Sequence, residues 1–157
     1  MTPQRSNTRR DLLASGAGAV AAIVLRPVSS EAAAVRTEST ADAIRRFAGA
    51  AQITPGRIHL DLPPLVENGN AVTITVTFES PMTPEDHVRR IAVFNDKNPQ
   101  PNVITAHLGP RSGRAAVTTR IRLADTQRIT AIAETSDGRF WSTTADAIVT
   151  LAACLEG

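Results

Sequence analysis

Residues 71–79 constrain the fold most. Val72, Ile74, Val76 and Phe78 alternate strictly there with Thr73, Thr75, Thr77 and Glu79. Successive side chains of an extended chain point to opposite faces, so a period of two gives one apolar and one polar face. Wound into a helix, the same residues would scatter their apolar groups around the axis. The stretch therefore reads as a half-buried antiparallel strand, and such a strand needs partners. Residues 57–62, 88–94, 103–108, 113–123, 128–134 and 140–150 supply six more short apolar or alternating runs. Turn and breaker residues separate them: Pro63-Pro64, Asn68-Gly69-Asn70, Ser80 to Pro84, Asn95 to Pro101, Gly109-Pro110, Ala124-Asp125-Thr126 and Ser136-Asp137-Gly138. In the last run, polar residues near Thr143 to Asp146 predict an irregularity. Short strands with turn signals at this spacing predict an all-β fold, an immunoglobulin-like antiparallel β-sandwich of about seven strands over 55–151. A closed barrel is the alternative architecture.

One helix precedes the strands. In residues 39–50, Ile44, Phe47 and Ala48 recur at helical spacing, Ser39 or Thr40 stands where an N-cap belongs, and Gly49 is placed to end the helix. Residues 35–54 thus read as a short N-terminal helix and linker. The chain is 42% hydrophobic, enough for a packed core, and with four Phe, one Trp and no Tyr that core is mainly aliphatic.

The first 34 residues have a different character. Arg9-Arg10 precedes Asp11-Leu12-Leu13, and a run rich in Ala, Gly, Val, Ile and Leu continues to Leu25, with Ala32-Ala33-Ala34 as a small-residue cleavage site. This is the pattern of a removable export signal, and the paired arginines predict the twin-arginine route to the periplasm. The run is too short and too rich in Ala and Gly for a membrane span, so no span is expected after export. Four of the 17 basic and two of the 15 acidic residues lie in this segment, which leaves 13 of each beyond it. A formally neutral mature chain has no basic footprint for nucleic acid.

A single cysteine, Cys154, stands three residues from the C-terminus. Free cysteines are commonly buried as small hydrophobes, but chain ends are poorly held unless something docks them. In an oxidising compartment an unpaired thiol is a liability, so one that is present is read as reactive or intermolecular. Residues 152–157 are expected to form a mobile tail in which Ala152, Ala153, Leu155, Glu156 and Gly157 present the thiol. The remaining sequence offers it no local machinery. His59, His87 and His107 are not at metal-ligand spacings, and there is no phosphate-binding glycine loop or serine-nucleophile elbow. Glu85-Asp86, Arg89-Arg90 and Arg120/Arg122 read as solvated polar surface, and Phe140-Trp141 as packing. A catalytic cysteine needs a base held beside it, which a mobile tail in its own domain lacks. The reading is a carrier, a protein without an active site whose sulfur is worked on inside other proteins.

The stretches RIHLDLPPLVENGNAVTITVTFESPMT, RRIAVFNDKNPQP, SGRAAVTTRIRLA, AETSDGRFW and VTLAAC give the chain from Arg57 to Cys154 a resemblance to SoxY, the sulfur-carrying subunit of the bacterial thiosulfate-oxidising system. The resemblance implies a periplasmic immunoglobulin-like domain that pairs as a heterodimer with a SoxZ-like subunit. It implies no cofactor beyond a covalent sulfur adduct on Cys154. A haem-containing enzyme would load the thiol, a hydrolase would release sulfate, and a sulfur dehydrogenase would oxidise the remaining persulfide. The family closes on Gly-Gly-Cys-Gly, whereas here Ala152-Ala153 and Leu155-Glu156-Gly157 flank the cysteine, with less backbone freedom and more bulk. An accessory or binding subunit whose altered tail no longer carries cargo is the alternative function. A thiol enzyme is a minor third.

Overall fold

The computed structural model describes residues 38–153. The export segment 1–34, with Arg9, Arg10 and the cleavage site, and the terminal residues Cys154, Leu155, Glu156 and Gly157 lie outside the described residues.

Helix α1 (Thr40–Ala48) forms where its caps dictate. The Ser39 side chain accepts the amide hydrogen of Asp42 (3.1 Å), satisfying one of the donors a helix start leaves free. Gly49 ends the helix at φ +65°, a conformation that favours glycine, and its N–H donates to the Arg45 carbonyl (2.7 Å). Ala43, Phe47 and Ala48 are buried, while Ile44 is only half-buried.

Nine strands follow: β1 (Ile53–Pro55), β2 (Ile58–Asp61), β3 (Leu65–Val66), β4 (Val72–Phe78), β5 (Val88–Asn95), β6 (Asn102–His107), β7 (Ala116–Ile121), β8 (Gln127–Thr135) and β9 (Phe140–Val149). The seven expected strands are β2 and β4 to β9. The two additional ones are short, and both run parallel to β9. Ile53 pairs with Phe140 at one end of its outer edge, and Leu65 with Ile148 at the other. They reflect a chain that passes this edge twice while crossing between sheets, and they shield backbone groups that would otherwise stand free. The irregularity expected near Thr143 to Asp146 is absent. Residues 140–147 pair with residues 127–134 without a break, because main-chain groups make the ladder whatever the side chains are.

The larger sheet has the order β1-β9-β8-β5-β6, with β3 also on β9, and the smaller one is β2-β4-β7. The fold is an immunoglobulin-like β-sandwich. Between the sheets lies an aliphatic core that includes Val72, Ile74, Val76, Ile91, Val93, Leu123, Ile129 and Ala131. The larger sheet is buried on its outer face too, where Ala92, Phe94, Ile132 and Phe140 meet Ala43, Phe47 and Ala48 of α1. Phe47 sits edge-on to Phe94 and Phe140, with ring centroids 5.8 and 5.9 Å apart. Arg90 closes this contact: its guanidinium lies 4.5 Å from the Phe47 ring centroid, donates to the Phe47 carbonyl (3.4 Å) and pairs with Glu134.

The β8–β9 hairpin turns at Ser136-Asp137-Gly138, as its sequence predicts. Gly138 takes φ +80°, and Thr135 N–H donates to the Arg139 carbonyl (3.0 Å). The hydrogen bond from the Thr135 hydroxyl (2.6 Å), followed by that from the Arg139 guanidinium (2.6 Å), holds the Asp137 carboxyl well below the usual carboxylate range.

Two outcomes test this fold. Replacing Phe47 by alanine should cost about 3 kcal/mol in urea unfolding, and Ile44→Ala clearly less, since only Phe47 leaves a cavity between two rings, Phe94 and Phe140. Equal losses would contradict the docking of α1 through Phe47. Asp137 is more acidic folded than unfolded, so its contribution is complete above the ordinary carboxylate pKa of about 3.9 and fades as pH falls through the lower folded value. Asp137→Asn should therefore lower Tm at pH 7, and the gap to the parent protein should narrow progressively below about pH 4.

Candidate functional site

Three chain segments meet at the end of the sandwich where β9 finishes. Thr150 follows β9, and its N–H donates to the Val66 carbonyl of β3 (2.9 Å), while its hydroxyl lies 3.1 Å from the Glu67 carbonyl. In the loop between β3 and β4, Gly69 donates its N–H to the Leu151 carbonyl (2.8 Å) and accepts at its own carbonyl from Leu123 N–H (2.8 Å). Leu123, in the loop between β7 and β8, then accepts at its carbonyl from Ala153 N–H (2.9 Å). The tail is thus stitched to the sandwich by main-chain bonds through Ala153, which is only 7% exposed.

This corrects one expectation. A tail free from Ala152 onward does not describe residues 152 and 153: Ala152 is exposed, but Ala153 is buried and anchored. Apolar burial of one methyl group and one backbone hydrogen bond hold it, both small contributions that act at the same point.

Leu123 owes its position to both sides of its backbone. Its side chain is fully buried in the core. The loop around it is gripped from the β5–β6 connection by Asn98, whose side chain donates to the Arg122 carbonyl (2.7 Å) and accepts from Ala124 N–H (3.0 Å) and the Gln127 amide (2.9 Å). Gln127 in turn accepts from Lys97 N–H (2.9 Å). Asn98 escaped the sequence reading because Asn95 to Pro101 presents only polar loop composition, and Gln127 because it stands between the Ala124-Asp125-Thr126 turn and the apolar run that follows. Gly69 escaped it because Asn68-Gly69-Asn70 is already explained as a turn.

The three histidines lie away from this end. His59 pairs with Thr77 near the finish of β4, His87 immediately precedes β5, and His107 pairs with Arg90 near the start of β5. β4 begins beside Gly69, and β5 runs in the same direction as β9, so all three positions fall toward the opposite end. His59 and His107 are exposed. Among the described residues no group of three or more His, Cys, Asp or Glu gathers in a metal-binding arrangement. None of the helices among those residues is long and apolar enough to cross a membrane. Glu85 and Asp86, like Arg120 and Arg122, are exposed. Trp141 packs edge-on to Phe78, and the Arg57 guanidinium lies over both rings at 5.2 and 5.0 Å. The end where the tail leaves the sandwich carries something else, the exposed apolar side chains Leu65, Ile148 and Leu151, each more than half accessible.

A family model described as "Sulfur oxidation protein SoxY" matches residues 44–154. Among solved structures, the sulfur carrier protein SoxY from Chlorobium limicola f thiosulfatophilum is similar at 26% identity, covering 71% of this chain and 96% of that one, with a TM-score of 0.60. A superoxide reductase (neelaredoxin) from Ignicoccus hospitalis superposes with a TM-score of 0.54 at 15% identity, over 60% of this chain and 80% of that one. A putative superoxide reductase from Thermotoga maritima gives 0.52 at 23% identity, over 62% and 87%. These two share the fold alone. A comparison with curated protein sequences gives no match. The match of the family model, which runs from α1 past the anchored Ala153 to the single cysteine, places the chain in the SoxY family of sulfur oxidation proteins.

Proposed function

We propose that this chain is a periplasmic sulfur carrier whose Cys154 thiol bears thiosulfate-derived sulfur as a covalent adduct, and that it has no active site of its own. One observation carries the reading: Ala153, the last described residue, is anchored to the sandwich, and the only cysteine of the chain is the residue after it. A thiol one residue beyond such an anchor can be handed to another protein, and no histidine stands at this end to act as its base.

Loading a thiolate with thiosulfate forms a sulfur–sulfur bond and removes two electrons, so it needs an oxidant that the chain does not supply. A haem-containing loading enzyme would take those electrons. A hydrolase would then release the terminal sulfone as sulfate, and a sulfur dehydrogenase would oxidise the persulfide that stays on Cys154. A SoxZ-like subunit would complete a heterodimer. Exposed Leu65, Ile148 and Leu151 beside the tail's exit support a protein partner at this end. Arg9 and Arg10 would direct the folded chain through the twin-arginine route, and Ala152, Leu155, Glu156 and Gly157 would flank the working thiol. A second reading, an accessory subunit that no longer carries cargo, draws on the docking of Ala153, which shortens the free arm.

Incubation of the mature protein with thiosulfate and an oxidising haem partner, followed by intact mass measurement, should show a thiosulfonate adduct that reductant removes and Cys154→Ala abolishes. A mass that never changes, together with undiminished sulfur oxidation by Cys154→Ala, would establish the accessory reading instead.

A further inference from the structure

Gly69 is buried at the crossing of the tail with the loop that holds Leu123. A β-carbon built on Gly69 would stand 2.3 Å from the Leu123 carbonyl oxygen, 2.9 Å from the Ala153 nitrogen and 3.2 Å from the Leu151 carbonyl oxygen. All three atoms are main chain, so no side-chain rotation relieves the clash. Two of them are the acceptor and donor of the bond that anchors Ala153 (2.9 Å). Gly69 is absent from the positive-φ residues, so the demand here is for space and not for an unusual backbone conformation.

We propose that Gly69 is a positioning residue, whose missing side chain lets the tail lie across the Leu123 loop and so fixes the point from which Cys154 is presented. The proposal deepens the carrier reading of Cys154 and rests on it. With Ala153 held, the Cys154 Cα lies about 3.8 Å from a fixed atom. If the tail were released back to Thr150, the same Cα would sweep a radius of about 14 Å. The clamp therefore confines the thiol to the neighbourhood of one end of the sandwich, next to Leu65, Ile148 and Leu151. A partner that accepts the thiol must bring its own site up to that end, and does not capture a long free arm.

The clamp can be measured without any partner. In the mature protein, Gly69→Ala should raise amide hydrogen exchange of Ala153 at least tenfold, while amides of β5 and β8 keep their protection. A methanethiosulfonate spin label on Cys154 should change from a restricted to a freely tumbling line shape in the same variant. Ala153→Pro removes the donor from the tail itself, at the last described residue, and leaves the side chains of the inter-sheet core unchanged. It should loosen the label likewise and speed exchange of the Gly69 amide. An Ala153 amide that exchanges at the unprotected rate in the parent protein, or a label whose line shape neither variant alters, would overturn the proposal. A parent protein that takes no sulfur adduct while both variants loosen the label would count against the carrier reading and uphold the clamp.

Discussion

The larger sheet is buried on both faces, and most of the molecule follows from that constraint. β5 and β8 must present apolar side chains alternately to the inter-sheet core and to α1. Ile91 and Val93 point one way, Ala92 and Phe94 the other, so four consecutive apolar residues are all used. The outer layer is thin, one nine-residue helix, and so depends on a concentrated contact. Phe47 supplies it by lodging between Phe94 and Phe140. Arg90 then ties the helix end to the sheet through the Phe47 carbonyl and Glu134. An isolated helix of this length is unstable in water, and tertiary burial sustains it.

The same core extends through Leu123 to the end of the sandwich where β9 finishes. Its side chain is packed between the sheets, so its backbone cannot move far without opening the core. That rigidity passes to the two groups hydrogen-bonded to it, the Gly69 carbonyl on one side and the Ala153 amide on the other. Asn98 braces the loop from outside, and Gln127 braces Asn98. A chain end that sequence position alone would leave loose is thus ordered as far as Ala153 by the core packing of Leu123. Each bond in this path contributes about 1 kcal/mol, so the anchoring is local and separable from the stability of the sandwich.

What could be read in the sequence was what side chains write into it. The alternation of Val72 to Phe78 appears in the structure as alternating burial, and Ser39 and Gly49 cap the helix their chemistry requires. The outer layer was half legible: an apolar run such as Ile91 to Phe94 announces burial on two faces but does not say that a helix provides the second. β1 and β3 left no pattern, because two or three residues held by β9's main chain need none, and Pro55 and Pro64 argue against strands. Polar side chains at Thr143, Thr144 and Asp146 suggested a break that the backbone ladder ignores. The tail anchor was hidden for the same reason, being made of main-chain bonds between three distant segments. Its one side-chain trace is the missing side chain of Gly69, already accounted for by the turn around it.

The alanines before Cys154 take on a different meaning once Ala153 is seen to be docked. Against the Gly-Gly-Cys ending of the family that the chain resembles, they looked like lost freedom. Burying the Ala153 methyl contributes up to about 0.8 kcal/mol, and glycine at the same place would add roughly 0.5–1 kcal/mol of backbone entropy to the released state. Both effects act in the same direction. Together they shift the balance between docked and released tail by about tenfold toward docking, without any change in the clamp at Gly69 and Leu123. Tail composition and loop geometry are therefore two settings of one equilibrium. An alanine-rich tail on this sandwich trades reach for a defined exit point, beside the exposed apolar side chains of Leu65, Ile148 and Leu151.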